Sequence, residues 1–180
     1  MKTQAIIAMA GSGTRMQAPL PKPLLTIQKK ELFVYSVLAL SASKHIDSLV
    51  LVVHPEYIDD YRQIIEREKL SKVKNVIEGG QTRQESVACG LRNIDDDTEI
   101  VAIHDGARPF IPTEVVDEAI EMCFTEKAVI VAVPVKSTIK RSEAKQNFVK
   151  ETLSRDELWE VQTPQVFQKD ILQKAHEKFQ

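Results

Sequence analysis

Four short segments of the 180-residue chain carry residue types suited to phosphate-bearing ligands. The first runs Ala10-Gly11-Ser12-Gly13-Thr14-Arg15-Met16 and continues to Pro21-Lys22-Pro23. Glycines let successive backbone N–H groups turn toward one anion. Arg15 and Lys22 add two cations to the same loop. Backbone donors plus cations are what the phosphates of a nucleoside triphosphate need. Taken alone, a Gly-rich surface turn with two solvated basic residues explains the segment as well. Two other glycine motifs are excluded. No G-x-x-x-x-G-K-[ST] loop occurs. A G-x-G-x-x-G fingerprint would have Met16 at its third glycine, too bulky for close helix packing, and its ribose-binding acid would fall near Glu31, ahead of a helix. Both points argue against a dinucleotide-dependent oxidoreductase.

The second segment, Gly79-Gly80-Gln81-Thr82-Arg83-Gln84-Glu85-Ser86, follows a short strand pattern and opens a helix. It could receive a base or ribose by polar contacts, and a helix capped by Thr82 explains it equally simply. The third, His104-Asp105-Gly106-Ala107-Arg108-Pro109, follows an apolar run. A carboxylate at the end of a buried strand suits a metal or substrate contact, so Asp105 is the one candidate metal ligand. Arg108 suits phosphate. His104 reads better as a satisfied interior residue than as a catalyst. The fourth comprises Arg155 and Gln162-Thr163-Pro164-Gln165, for which a polar turn between elements is the plainer reading.

The elements that must position these segments are legible from hydrophobic patterning. Short apolar runs at Ala5–Ala10, Leu49–Val53, Val73–Ile77, Ile100–Ile103 and Ala128–Val133 read as strands, mostly continuous and therefore buried on both faces as in a parallel sheet. Between them, helical stripes run through Leu32–Leu40, Ile58–Ile65, Val87–Leu91 and Val115–Cys123, the last opened by Thr113 as N-cap and Glu114. Strand–helix alternation predicts a doubly wound α/β sheet with its ligand site at the strands' C-terminal ends. Residues 134–153 break the rhythm and read as a hairpin leaving the sheet, with a polar turn near Ser142–Gln146. A last helix, Asp170–Phe179, reaches the chain end without a C-cap signal, which suggests that the polypeptide continues in a longer parent.

Composition bounds the rest. With 43% hydrophobic and 28% charged residues the chain is an ordinary folded domain. A formal net charge of −2 provides no field for a nucleic-acid backbone, so any anion site is local. Cys89 and Cys123 stand far apart and read as two buried, reduced thiols of a cytoplasmic protein. No apolar stretch is long enough to span a membrane.

In order, AGSGTRM, PKP, GGQTRQESV, HDGARP, VPVKSTIKR and LWEVQTPQVF resemble the methylerythritol phosphate cytidylyltransferases of the non-mevalonate isoprenoid pathway, over Ala5 to about Phe167. The ribitol-phosphate cytidylyltransferases share much of the pattern. The resemblance implies a Rossmann-like, mostly parallel sheet of the nucleotide-diphospho-sugar transferase type. It implies one nucleotidyltransferase domain over residues 1–180, with 134–155 as a dimerisation and substrate arm. The implied reaction joins CTP to 2-C-methyl-D-erythritol 4-phosphate with release of pyrophosphate, and Mg2+ would bind the triphosphate. Arg15 and Lys22 match the catalytic basic pair. Ala8, Ala10, Gly11, Gly13, Gly80, Arg83 and Ser86 match the nucleotide site. Asp105, Arg108 and Thr163 match the substrate site. Thr138 and Arg155 match arm residues reaching the neighbouring subunit's substrate, which implies a homodimer.

Several residues depart from the family pattern. Met9 stands where a small residue is usual, Pro23 replaces a common Gln, Gly106 a common Ala, and Ser137 a frequent Asp. A threonine–acid segment and a late lysine motif of the family lie beyond the chain's last residue. The alternatives left open are a ribitol 5-phosphate acceptor and a catalytically silent CTP-binding or dimerisation module.

Overall fold

The computed structural model describes residues 1–11, 20–143 and 148–178. The first apolar run forms β1 (Thr3–Met9). A small hairpin, β2 (Thr26–Ile27) with β3 (Lys30–Glu31), leads into α1 (Leu32–Ser41). There follow β4 (Ile46–Val53), α2 (Ile58–Glu68), β5 (Val73–Glu78), α3 (Arg83–Leu91), β6 (Ile100–Asp105), α4 (Thr113–Cys123) and β7 (Ala128–Pro134). A second hairpin, β8 (Lys140–Ser142) with β9 (Val149–Thr152), leaves the sheet. The chain then returns as β10 (Trp159–Gln168) and ends in α5 (Lys169–Lys178).

The main sheet has the order β5-β4-β1-β6-β10-β7. Strands β5, β4, β1 and β6 are parallel, and β10 is antiparallel to both its neighbours. Side chains alternate across a strand, so one strand serves two layers. Ala5, Ile7 and Met9 of β1 join the core under α1, α2 and α4, with Phe33, Tyr61 and Ile120. Ile6 joins the opposite core under α3 and α5, with Val87, Leu91 and Leu172. Each fully buried aliphatic side chain of this kind contributes about 1.5–3 kcal/mol. The doubly wound α/β architecture is thus the one the patterning predicts.

Four local expectations change. Strand β7 is not buried on both faces: it is an edge strand paired only with β10, and Ile130 and Val133 are 50% and 44% exposed. The segment Gln162–Gln165 is not a turn between elements but the middle of β10. Its pairing with β7 shifts register between Val161 and Gln165, and such an irregularity is where a strand tolerates proline. Thr113 is not the N-cap of α4. Pro112 occupies that position, and the Thr113 hydroxyl donates to the Ala39 carbonyl at 3.1 Å, tying α4 to α1. Cys123 is buried, but Cys89 is only partly so, with the Arg92 guanidinium 3.2 Å from its sulfur. The hairpin at 134–153 is present. Of its expected turn, residues 144–146 lie outside the described residues, as does Phe179 of the last helix.

Strand β10 is fastened to β6 by a buried polar link. The His104 ring lies 3.0 Å from the Thr163 hydroxyl through Nδ1 and 3.1 Å from the Arg108 carbonyl through Nε2. A carbonyl only accepts, so Nε2 carries the proton and Nδ1 accepts from Thr163. The Thr163 oxygen in turn accepts the Asp105 N–H at 3.3 Å. Every member of the chain is satisfied with one proton on the ring, and burial pushes the His104 pKa down to about 4. In the unfolded chain the ring titrates near 6.5, so the unfolded state takes up a proton first as pH falls. His104 therefore lowers stability as pH drops from about 6.5 to about 4, by at most about 1.4 kcal/mol per pH unit, and leaves it unaffected above that window. Imidazole nitrogen spectra should show a neutral Nε2–H ring at pH 5. A ring already half-charged at pH 6.5 would refute the assignment.

Candidate functional site

The parallel strands β1, β4, β5 and β6 release the chain at one edge of the sheet, and a cleft of about 320 Å3 opens there. Its floor is the end of β1, Ala8 to Ala10, with Gly11 just beyond. One wall is the loop into α3, with Gly80, Thr82, Arg83 and Ser86. Another is Asp105 and Ala107 after β6, and Lys22 and Pro23 form the third. Three segments far apart in sequence thus share one cavity. Of the residues expected from sequence, Ala8, Ala10, Gly11, Lys22, Gly80, Arg83, Ser86 and Asp105 meet here. Gly13 and Arg15 lie outside the described residues.

Local chemistry fixes each wall. Pro21 and Pro23 flank Lys22 and set a short 3-10 turn over Lys22–Leu24. Pro23 and Leu24 are buried, which turns Lys22 outward as the exposed member. Among the described residues no carboxylate pairs with Lys22. Its ammonium group is thus available to an anion at the cleft.

The loop into α3 is arranged differently. Thr82 and Glu85 form a capping box: the Thr82 hydroxyl accepts the Glu85 N–H at 3.1 Å, and the Glu85 carboxylate accepts the Thr82 N–H at 3.0 Å and the Gln81 N–H at 2.7 Å. The Ser86 hydroxyl is turned back, 2.9 Å from the Thr82 carbonyl. This helix start therefore already holds a carboxylate on its amides. It suits neutral polar groups such as a base or a ribose better than a phosphate. Gly79, which opens the second segment but was given no role of its own from sequence, lets this loop abut β1. A Cβ there would fall 2.3 Å from that of Ala10 and 2.8 Å from the Ser86 oxygen. The adjacent glycines were its only signal.

At the opposite wall Asp105 bridges two guanidinium groups. Arg83 approaches Oδ1 through Nε at 3.3 Å and Nη2 at 3.2 Å, and Arg108 donates to Oδ2 through Nε at 3.0 Å. Arg83 also donates to Gln165 at 3.1 Å, and Arg108 to Gln162. The two glutamines lie in the QTPQ motif but only their neighbour Thr163 was expected. These ion pairs are about one-third to one-half exposed, so they add little stability. Their effect is geometric: one carboxylate holds two cations in fixed positions and leaves the trio with a net positive charge. Asp105 is thus occupied on both oxygens. No group of three His, Cys, Asp or Glu able to hold a metal occurs among the described residues.

Thr138 and Arg155 do not line the cleft of their own chain. Thr138 is exposed, and Arg155 closes the base of the arm by donating to the Lys136 carbonyl at 2.9 Å. Large apolar side chains stand exposed at separate points: Phe110 between β6 and α4 is 83% exposed, Phe148 in the arm 79% and Trp159 at the start of β10 60%. A hollow of about 710 Å3 under Phe110, lined by Ile27, Ile111 and Val131 among others, reaches from Lys22 to Thr163.

Known proteins are similar to this chain in sequence and in fold. The family model described as IspD, 2-C-methyl-D-erythritol 4-phosphate cytidylyltransferase, matches residues 3–180. The enzyme of that name from Caldanaerobacter subterraneus subsp. tengcongensis is 41% identical over 179 residues, covering 99% of this chain and 78% of the relative. That from Alkaliphilus metalliredigens is 41% identical over 180 residues, covering 98% and 73%. In structure, the 4-diphosphocytidyl-2C-methyl-D-erythritol synthase of Anaerococcus prevotii superposes with a TM-score of 0.84 at 31% identity, over 99% of this chain and 74% of that one. The cytidylyltransferase of Francisella tularensis gives 0.79 at 25% identity, over 99% and 77%. With a family model matched over residues 3–180 and relatives 41% identical over nearly the whole chain, the chain belongs to the 2-C-methyl-D-erythritol 4-phosphate cytidylyltransferase family.

Proposed function

We propose that the chain transfers a cytidylyl group from CTP to 2-C-methyl-D-erythritol 4-phosphate, giving 4-diphosphocytidyl-2-C-methyl-D-erythritol and pyrophosphate, as a cytoplasmic homodimer. The observation that carries this reading is one cleft in which Lys22, without a carboxylate partner among the described residues, a polar helix start and a paired-arginine wall face one another, in a chain of this family. The nucleophile is an oxygen of the acceptor's phosphate monoester, already anionic at neutral pH because its second pKa is near 6. That oxygen forms a bond to the α-phosphorus of CTP, and the bond from the α-phosphorus to the β-bridging oxygen breaks. The electron pair leaves with pyrophosphate. No serine, cysteine or histidine nucleophile is needed, which accords with His104 being buried and neutral.

The residues then divide the work. Ala8, Ala10, Gly80 and Ser86 receive the cytidine, and Gly11 and Gly13 are the glycines assigned to the phosphates. Lys22 and Arg15 neutralise charge growing on the α-phosphoryl group and the leaving pyrophosphate. Asp105 holds Arg83 and Arg108 apart at fixed positions, and with Thr163 the Arg108 side orders the acceptor. Magnesium would be held by the triphosphate together with Asp105, the carboxylate at the cleft, and would supply screening of the phosphate charge.

The arm completes the site from the second subunit. Phe110, Phe148, Trp159 and the hollow beneath Phe110 are exposed apolar features of the sort that subunits bury against each other. Thr138 and Arg155, remote from their own cleft, reach the acceptor phosphate of the partner. The free thiols of Cys89 and Cys123 fit a reducing compartment. No helix among the described residues is long and apolar enough to cross a membrane.

Pyrophosphate release with CTP, magnesium and methylerythritol phosphate tests the reaction directly. Turnover with ribitol 5-phosphate in its place would reassign the acceptor, and no release with either would remove the assignment. Lys22→Ala should retain the fold and lose turnover by on the order of a hundredfold, the cost of one missing oxyanion donor. Normal turnover in that variant would sink its role. For the arm, Lys22→Ala and Arg155→Ala should each be nearly inactive alone. Mixed and reassociated, they should recover about a quarter of wild-type sites, since half the dimers then carry one intact site of two. A mixture no better than its parts would rule out sharing between subunits.

A further inference from the structure

Met9 and Gly106 are neighbours at the tip of the β1–β6 pair, one position past the register that matches Ala8 with Asp105. One carries a long flexible side chain and the other carries none. The geometry accounts for both at once. A Cβ at position 106 would fall 2.3 Å from the Met9 Cγ and 2.4 Å from its sulfur, with the Ile7 Cγ2 at 3.1 Å. The thioether therefore lies in the space that a side chain at 106 would need. Met9 borders the nucleotide cleft and yet is only 3% exposed, because that notch takes its side chain down into the core.

Neither backbone is free to retreat. Gly106 donates its N–H to the Ala8 carbonyl at 3.2 Å and accepts the buried Ser36 hydroxyl at 2.9 Å. Met9 is the last paired residue of β1, in register with Val53 of β4. If a methyl group appeared at 106, the Met9 side chain would have to yield, and the open volume it borders is the cleft. We propose that Gly106 is the berth that keeps the Met9 thioether out of the nucleotide cleft, so that the two residues act as one unit setting the cleft's free volume. The ligand in this inference rests on the reading of the cleft as a CTP site; the pairing itself does not.

The test is a double-mutant cycle read by calorimetric titration with CTP and magnesium, and in parallel by urea unfolding. Gly106→Ala should weaken CTP binding by roughly tenfold, within the range found for residues in direct contact. Adding Met9→Ala to Gly106→Ala should restore most of the affinity and the unfolding midpoint. Met9→Leu in the same background should not, because a branched side chain still fills the notch. CTP affinity unchanged in Gly106→Ala would overturn the proposal, as would failure of Met9→Ala to rescue it. If Gly106→Ala does not fold, recovery of folding in the double variant supports the pair and continued failure overturns it. If the wild-type chain binds no CTP, the proposed function falls. The unfolding cycle then decides the pair: rescue supports it, and additive losses overturn it.

Discussion

Strand β1 has no free edge and almost no free face. It is hydrogen-bonded to β4 on one side and β6 on the other, and six of its seven residues are buried, so nothing about its position can be adjusted without disturbing both cores. A strand enclosed in this way can deliver its chain only at its end. Strands β4, β5 and β6 run parallel to β1 and end at the same edge of the sheet. Loops separated by roughly 70 and 100 residues in sequence are thereby brought to one place by topology. The cleft needs no dedicated contact to assemble; it is where a doubly wound sheet must let its chain out.

What topology does not supply is the distribution of charge around the opening, and here the two walls are opposites. The start of α3 has satisfied its own amides with Glu85, so apart from Arg83 that wall has little net attraction for anions. The Lys22 turn and the trio of Arg83, Asp105 and Arg108 are left positive. A triphosphate nucleotide carries a neutral base at one end and several charges at the other, so the cleft has a direction built into it. Because the guanidinium groups are held before a ligand arrives, less reorganisation is left for the moment of reaction.

The legible part of the sequence was the part in which one requirement dominated. Continuous apolar runs gave β1, β4 and β6 because burial on both faces leaves no room for polar residues. Clustered glycines and basic residues marked the cleft walls because close backbone approach and anion attraction call for those types. Where requirements competed, pattern reading failed. Strand β10 has Gln162, Thr163, Pro164 and Gln165 at its centre, since it must hold His104, Arg83 and Arg108 as well as pair with two neighbours. Polarity and proline then hid the strand. Ala128–Val133 looked like an interior strand, yet it is an edge whose apolar residues remain at the surface. Thr113 had the composition of a cap, but its hydroxyl is used against α1. The compensation between Met9 and Gly106 could not be read at all, because residues 97 positions apart give no sign in one sequence that they share a volume.

The place of β10 in the sheet has a consequence for how the protein is made. It lies between β6 and β7 although the ribosome produces it after both, so in the folded sheet those two strands do not pair with each other. Until the chain has emerged through Gln168, the sheet stops at β6, and β7 waits with no neighbour on either side. Open strand edges invite pairing with other chains, and translation is slow beside strand formation, at about 5–20 residues per second. The sheet is sealed from within by a late insertion, and the nascent chain is most exposed to intermolecular strand exchange just before that strand arrives.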